Sequence, residues 1–362
     1  MPVKYFQEAE RGEYMNLENE AIVALNSNSA AILILVGVLV LHIRTMRERN
    51  VQNRLFIILV ITSIVLGVVY ILDILSRQYI FQETATIKTF MYSIEDISID
   101  VIAMIWYLYV LNMCFGRKDY LKRKLKSIIT PIVIVLILDV INLFTGAVFY
   151  FDEQMIFRTT FLYVLEELIC YGYMLASFAL MVIYRHKSGR LHFFAIWSIF
   201  IPIMAGSVFE DATGYEAFSL GLAIGIAVWF ISMANTRIFE DPESGFFNLH
   251  YFDFLKDLME RGKYDLGCIL VCRFADEDPI SNESDMIREM LPEASNTLRI
   301  SRTEIMTFAT ITDRSAVDML ADDMEMIAGE LNTTATTESF IRQKGESGQD
   351  LLHRFLSGRK QS

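Results

Sequence analysis

The chain has few cysteines, few prolines and few charged residues for its length. Four cysteines and six prolines occur in 362 residues, and only 21% of the residues are charged. None of the cysteines has a paired metal-binding spacing, so a disulfide or zinc framework is excluded and we expect free, buried thiols. The hydrophobic fraction is 53% and the mean hydropathy is +0.37, which excludes a disordered chain and is too apolar for an ordinary soluble protein. We predict no metal site and no cofactor.

The apolar residues come in blocks that are separated by short charged strips. A bilayer core needs about twenty apolar residues per helix. Seven stretches approach that length: 21–42, 55–76, 89–115, 128–150, 159–184, 193–209 and 216–235. The sixth stretch is the shortest. The sequence therefore predicts an α-helical membrane bundle of seven transmembrane helices in contact with the lipid bilayer.

Basic residues are distributed unevenly between alternating loops. The first, third and fifth loops contain thirteen lysines and arginines, whereas the intervening loops contain three. Because basic loops stay in the cytoplasm, we predict a multi-pass protein of the cell membrane with its amino terminus outside and everything after Asn235 in the cytoplasm. Residues 1–20 are acidic and polar without a basic n-region, so we expect an extracellular tail and a first helix that serves as an uncleaved signal.

Acidic side chains inside the predicted spans have no lysine or arginine within the same spans. The candidates among the acids within or at the ends of these spans are Asp73, Asp96, Asp100, Asp139, Glu166, Glu167, Glu210 and Asp211. A charge costs several kcal/mol at membrane depth, so such residues are functional candidates by default. Asp96 and Asp100 lie four residues apart, hence on one helix face. Asp139 lies near the middle of its span and is the deepest of the set.

A pocket open to the outside is the functional interpretation of these acids. It would bind an external small molecule, cationic or amine-bearing, with aromatic walls that add cation–π attraction. The candidate ligand-binding residues, chosen by shared helix face or depth, are Tyr92, Asp96, Asp100, Tyr107, Asp139, Asn142, Glu166 and Glu167. The alternative is that the outer acids are solvated helix caps and the deeper ones form hydrogen bonds between helices.

Two other uses of seven helices are distinguishable in the sequence. A retinal protein needs a lysine in its last helix, and residues 216–235 contain none, which excludes rhodopsin chemistry. A secondary transporter with a regulatory tail remains an alternative, in which Asp139 would be the coupling carboxylate, although no repeated pair of broken helices emerges.

The composition changes from Arg237 onward. This part has 14 basic and 24 acidic residues, a balance that argues against a nucleic-acid partner. Its pattern predicts mixed helices and strands. We expect helices at 252–260, 285–294, 316–331 and 350–356, a strand at 266–274, and one or two strands at 298–312.

Residues 241–252 read DPESGFFNLHYF. This string resembles the opening signature of the diguanylate-cyclase (GGDEF) family, D-P-L-T-G-L-x-N-R-x-x-F. The matching residues are Asp241, Pro242, Gly245, Asn248 and Phe252. The resemblance covers roughly the last third of the chain and implies a small α+β domain with a central antiparallel sheet, like the nucleotidyl-cyclase palm. A membrane-proximal loop that matches by chance is the alternative.

The residues that such a cyclase needs for catalysis are altered here. Joining two GTP molecules requires carboxylates that hold two metal ions and a glycine turn that admits phosphates. Cys272 stands at the expected metal-binding aspartate. The hairpin that should contain R-Y-G-G-D-E-F reads Arg299-Ile300-Ser301-Arg302-Thr303-Glu304-Ile305, so Ser301 and Arg302 replace both glycines, Thr303 replaces a carboxylate, and Glu304 survives. We therefore predict that the chain is not an enzyme and that this domain is a degenerate GGDEF domain.

Together these features favour a bacterial-type membrane receptor with three parts: an extracellular tail (1–20), a seven-transmembrane sensor domain (21–236) and a cytoplasmic GGDEF-like domain (237–362). The last domain would relay the signal by forming a homodimer or by contacting a cytoplasmic protein partner. A further alternative is that it binds GTP or cyclic di-GMP as an effector. The membrane half also resembles, in topology and fusion order, the sensor region of certain bacterial histidine kinases, but no kinase H-box is present.

Overall fold

The computed structural model describes residues 2–45, 51–76, 85–115, 118–152, 157–184, 196–213, 216–275, 280, 287, 296–330 and 333–359. The chain forms two compact units. The first comprises Met1–Tyr109, Lys124–Phe178 and Ala195–Ile231, and the second comprises Val110–Arg123, Ala179–Phe194 and Ser232–Ser362.

Seven α-helices are described up to residue 236. They are α1 (Pro2–Thr45), α2 (Val51–Leu75), α3 (Ala85–Phe115), α4 (Lys118–Thr145), α5 (Phe161–Tyr184), α6 (Ile196–Thr213) and α7 (Phe218–Thr236). Six contain a segment long and apolar enough to cross a membrane: Ala21–Arg44, Val51–Leu75, Ala85–Cys114, Lys126–Thr145, Phe161–Tyr184 and Phe218–Phe239. The apolar part of α6, Ile196–Glu210, is shorter. The crossing predicted at 193–209 therefore stays a prediction, and residues 193–195 lie outside the described residues.

These helices expose large apolar side chains. The exposed fraction is 73% for Leu33, 86% for Phe144 and 69% for Leu175. Exposed apolar surface on this scale is unfavourable in water, whereas lipid tails are as apolar as leucine. Length, composition and exposure together indicate a multi-pass helical membrane protein.

The fourth predicted span was wrong at its C-terminal end. The prediction extended the helix to residue 150, but α4 ends at Thr145 and is followed by a hairpin of β1 (Phe149–Phe151) and β2 (Phe157–Thr159). Gly146 adopts φ +62°, a left-handed conformation that ends a helix and that glycine adopts without strain. The side-chain oxygen of Asn142 then accepts hydrogen bonds from the backbone N–H groups of Val148 and Phe149. Hydropathy alone does not register this turn.

The second unit contains a four-stranded antiparallel sheet flanked by helices. After a short 3₁₀ turn (Arg237–Phe239), the described elements are α8 (Leu249–Glu260), β3 (Cys268–Phe274), β4 (Asn296–Arg299), β5 (Glu304–Ala309), α9 (Arg314–Glu330), β6 (Ala335–Ile341) and α10 (Gly348–Arg359). The strand order is β4-β5-β3-β6. In the pairing of β3 with β5, Arg273 lies opposite Glu304 and Cys272 lies opposite Ile305.

The sheet has an apolar core on each face. On one face Leu255 of α8 and Phe355 of α10 pack with Ile269 and Val271 of β3. On the other face Leu270 and Cys272 belong to a cluster that includes Leu320 and Met324 of α9. β3 is one of the two inner strands and pairs with β5 and β6. It contributes alternate side chains to both cores, and six of its seven residues are buried.

Most of the elements predicted after residue 237 are confirmed. The helices at 252–260, 316–331 and 350–356 correspond to α8, α9 and α10, and the strand predictions correspond to β3 and the β4–β5 hairpin. The strand β6 was missed. The helix predicted at 285–294 lies outside the described residues, except for Ile287, which is buried in the second core.

Candidate functional site

The structure brings the deepest membrane carboxyl groups together between three helices. Asp96 and Asp100 lie on α3, Asp139 lies on α4, and Glu166 lies on α5. The side chains of Asp139 and Glu166 are in hydrogen-bonding contact, carboxyl to carboxyl. Asp96 and Asp100 are near enough to interact electrostatically with Glu166. Four acids predicted from three separate spans thus form one cluster.

This cluster lies in the interior of its unit. The exposed fraction is 0% for Asp139, 3% for Asp100 and 5% for Glu166. Residues 89–115, 128–150 and 159–184 contain no lysine or arginine. Charge repulsion in such a place is relieved by protons or by a bound cation, because burial and like charges both disfavour the ionised form of a carboxyl group.

The other predicted ligand-binding residues surround this cluster in different ways. The Tyr163 hydroxyl donates a hydrogen bond of 3.1 Å to Glu167, and the Cys170 thiol donates one to Asp100. Tyr92 packs in an aromatic group with the hairpin residue Phe151, at 5.4 Å between ring centroids. Tyr107 packs against an aromatic neighbour on α5, with ring centroids 5.7 Å apart. Both predicted aromatic walls therefore contact other rings.

A second polar group, near the start of α7, was missed in part. Glu95 was not among the predicted candidates, yet Tyr70 of α2 donates a hydrogen bond to its carboxylate. Asp73, Glu210 and Glu216 interact with Glu95 electrostatically. The signal was available, because Glu95 is an acidic residue inside a predicted span beside Asp96. The Asp211 side chain lies outside the described part of the chain.

In the second unit, the signature residues form a turn that leads into α8. Asp241 accepts hydrogen bonds from the backbone N–H (2.9 Å) and hydroxyl (2.7 Å) of Ser244. Gly245 has φ +62° and its N–H donates to the Asp241 carbonyl. Asn248 caps α8 by accepting from the N–H groups of His250 and Tyr251. Each matching residue thus has a local structural role.

Arg299, the hairpin arginine, binds this turn. Its guanidinium donates to Asp241 at 2.7 Å and to Glu243 at 2.9 Å, and only 7% of the Arg299 side chain is exposed. Burial alone would raise the pKa of Asp241, but hydrogen bonds from Ser244 and Arg299 outweigh it and lower the pKa below its ordinary value.

Pro242 and Phe252 complete the signature. Phe252 is half-buried, with its ring centroid 5.8 Å from that of Phe308 on β5. Pro242 borders an open cleft of about 350 Å³. The cleft is lined by Asp241, Pro242, Glu243, Arg299, Ile300, Ser301 and Arg302. Turn and hairpin therefore form one surface.

The positions that the resemblance assigns to metal ligands are occupied by residues with other properties or other partners. Cys272 is 1% exposed, and burial, with repulsion from Glu325, raises the pKa of its thiol to about 12. Glu304, the surviving hairpin carboxylate, forms ion pairs with Arg273 (3.6 Å) and with Arg359 of α10. Among the described residues, no three His, Cys, Asp or Glu side chains are grouped so that they could hold a metal ion.

Comparisons with known proteins detect little similarity to this chain. No family model and no curated protein matches the chain. Among solved structures the chain is similar to the Vibrio cholerae LapD S helix-GGDEF-EAL protein bound to c-di-GMP, with 15% identity and a TM-score of 0.26, over 34% of this chain and 33% of that chain.

Proposed function

We propose that this chain is a membrane sensor whose seven helices respond to a stimulus outside the cell and whose cytoplasmic GGDEF-like domain relays that response without catalysis. The orientation rests on the excess of basic residues in alternating loops. In this arrangement α6 would be the shortest of the seven crossings. The proposal rests on one observation. The ordered signature turn contacts a hairpin in which the metal-binding residues of the family are replaced.

The strand order and the signature turn support a GGDEF-like palm. The β4–β5 hairpin lies beside the inner strand β3, and β6 pairs with the other edge of β3. The backbone of Phe247, within the signature, bonds to β4 through Thr297 and Arg299. If the signature matched by chance, we would not expect it to lie against the hairpin that the same family uses for catalysis.

The side chains at the hairpin support the loss of catalysis. Phosphoryl transfer depends on cations that neutralise developing charge, and these cations need carboxylate ligands. Cys272 is a buried thiol, Thr303 is neutral, and the Glu304 carboxylate is engaged by two arginines. We infer that the domain acts through contacts, with a second copy or with a cytoplasmic protein.

The test is turnover and binding of GTP by the purified full-length protein, with Mg²⁺ and separately with Mn²⁺. We expect no cyclic dinucleotide and no pyrophosphate, while an active diguanylate cyclase in the same detergent serves as the positive control. Product that depends on this protein and disappears in Glu304→Gln would overturn the proposal. Binding of GTP without product would favour the alternative of a nucleotide effector, for which the cleft beside Arg299 and Arg302 is the place.

A second function, a proton-coupled carrier with a regulatory tail, is favoured by one observation. Asp139 and Glu166 form a buried contact between two membrane helices, and such carboxyl groups serve as proton relays in transporters. Reconstituted vesicles with a pH-sensitive dye distinguish the two functions. A sensor gives no proton flux, whereas a carrier gives flux that Asp139→Asn abolishes.

A further inference from the structure

The contact between Asp139 and Glu166 joins two helices in the interior of the membrane unit. Asp139 belongs to α4 and Glu166 to α5, and their exposed fractions are 0% and 5%. Among the described residues, no N–H or O–H donor from any other group reaches either carboxyl group. The two groups face each other instead.

This contact requires a proton. An ionised carboxylate only accepts hydrogen bonds, so two carboxyl groups can bond to each other only when one of them is protonated. Without the shared proton, two negative charges would lie at contact distance in a buried site, where their repulsion is much stronger than in water. The proton is therefore what holds α4 against α5 at this point.

The surroundings of the pair add to the same requirement. Besides Asp139, Asp96 and Asp100 from α3 interact with Glu166. These two acids interact in turn with Glu167 of α5, and Cys170 of α5 lies beside Asp100. Every carboxyl group in this set adds negative charge when ionised. The cluster is not arranged for a metal ion, because no three of its described ligand-type side chains converge in that way.

Asn142 gives an independent indication that the site has a second state. Its side-chain oxygen is fixed by the N–H groups of Val148 and Phe149. Its amide nitrogen is 1% exposed with the rest of the side chain and has no acceptor among the described residues. Asn142 is one turn from Asp139 on the same face of α4. A buried unpaired amide is unfavourable, and an Asp139 carboxylate released from Glu166 would be an acceptor one helical turn away.

We propose that the Asp139–Glu166 pair is a proton-binding site and that its occupancy is the stimulus of the sensor, an inference that rests on the proposed function only in its second half. With the proton bound, Asp139 and Glu166 bridge α4 and α5. As the pH rises and the proton leaves, the bridge opens and Asn142 binds the Asp139 carboxylate. The ligand is the smallest cation, which needs no open pocket.

Infrared difference spectroscopy of the full-length protein in lipid tests the site directly. The carbonyl band of a protonated carboxyl group is followed from about pH 4 to about pH 9, the range in which shifted carboxyl groups titrate. We expect a carbonyl band at low pH that includes a contribution from this pair and is lost as the pH rises. A wild-type spectrum in which no such band titrates overturns the proposal without any variant.

Variants assign the band. Asp139→Asn and Glu166→Gln should each move the titration of the band to lower pH, because the remaining carboxylate no longer faces a second carboxyl group and can accept a hydrogen bond from the new amide. The double exchange Asp139→Glu with Glu166→Asp keeps two carboxyl groups and the same number of methylene groups. The band should therefore titrate close to its position in the native chain. Asp152→Asn, which removes a carboxylate paired with Arg158 at 3.1 Å, should leave the band unchanged. If the band titrates in Asp139→Asn and in Glu166→Gln as it does in the native chain, the assignment is overturned.

The infrared band reports the protonation of the pair and does not depend on a change in the cytoplasmic domain. A titrating band with no change in the cytoplasmic domain would contradict the sensor function and leave the proton site intact. A cytoplasmic response to pH without a titrating band would contradict the proton site and leave the sensor function intact.

Discussion

At the scale of single residues, the link between Asp241 and Arg299 is the side-chain ion pair in which a signature residue binds the hairpin. We expect Asp241→Asn to destabilise the second unit by about 2 kcal/mol, because the buried Arg299 loses the Asp241 carboxylate and the Glu243 carboxylate that also binds it is exposed. Hydrogen exchange of residues 241–252 in the full-length protein should become faster. Unchanged exchange there would contradict the role of this link.

The matched control is Asp257→Asn. Asp257 pairs with Arg261 at 3.0 Å across one turn of α8, but both side chains are about half exposed, and such a pair contributes about 0.3–0.5 kcal/mol. Because the pKa of Asp241 is lowered in the folded state, its contribution is present at neutral pH and is lost as the pH falls below the ordinary aspartate value of about 3.9. The Asp241→Asn effect should therefore shrink in acid.

The signature residues were predictable from sequence and the membrane contacts were not, for a physical reason. Gly245 and Asn248 act within a few residues of their own positions, so a local string carries their geometry. Asp139 and Glu166 are brought together by packing of two helices, and spacing along a chain does not say which helix faces meet. The sequence identified the cluster members but neither their contact nor their burial.

At the scale of elements, α6 and α7 pack through glycine. A Cβ atom on Gly221 would lie 2.4 Å from the Pro202 carbonyl oxygen, a separation that real Cβ atoms do not show. We expect Gly221→Ala to push the two helices apart and to cost about 1–3 kcal/mol, as overpacking does. Thermal unfolding of the purified protein, followed by the fluorescence of Trp197 on α6 and Trp229 on α7, measures the loss.

Gly172→Ala in α5 is the matched control. A Cβ atom there has nothing within 4 Å, so alanine should be neutral or stabilising by about 0.5–1 kcal/mol through backbone entropy. Equal effects of Gly221→Ala and Gly172→Ala would show that helix propensity, and not the close approach of α6 and α7, determines the result.

The elements that sequence missed are those in which polar or turn residues interrupt the usual pattern. β6 contains Thr336, Thr337, Glu338 and Ser339, so no apolar alternation marks it, although β-branched threonine favours strands. The β1–β2 hairpin was assigned to a helix because Phe149 and Tyr150 extend the apolar run of α4. Where apolar runs matched whole elements, as in β3 and α2, the prediction was confirmed.

At the scale of the whole molecule, one helix runs from the membrane segments to the signature turn. α7 begins at Phe218 in the first unit and ends at Thr236 in the second. The chain that follows is bonded to the start of α8, since the Asn248 N–H donates to the Phe239 carbonyl and its side chain donates to Ile238, both at 2.8 Å. Under the proposed function, a movement of α7 would reach the second unit through this bonded segment.

This continuity predicts that signalling depends on the rotational phase of α7. Each inserted residue turns a helix by about 100°, so two alanines inserted between Asn235 and Thr236 rotate the domain by about 200°, whereas four rotate it by only about 40°. The measurement is hydrogen exchange of residues 241–252 in lipid at acid and alkaline pH, corrected for the intrinsic pH dependence of exchange. We expect the pH response of the native chain to be lost with two alanines and largely kept with four. If both insertions respond like the native chain, the helix does not transmit through its phase, because a rigid connection would be disturbed by the larger rotation and not by the smaller one.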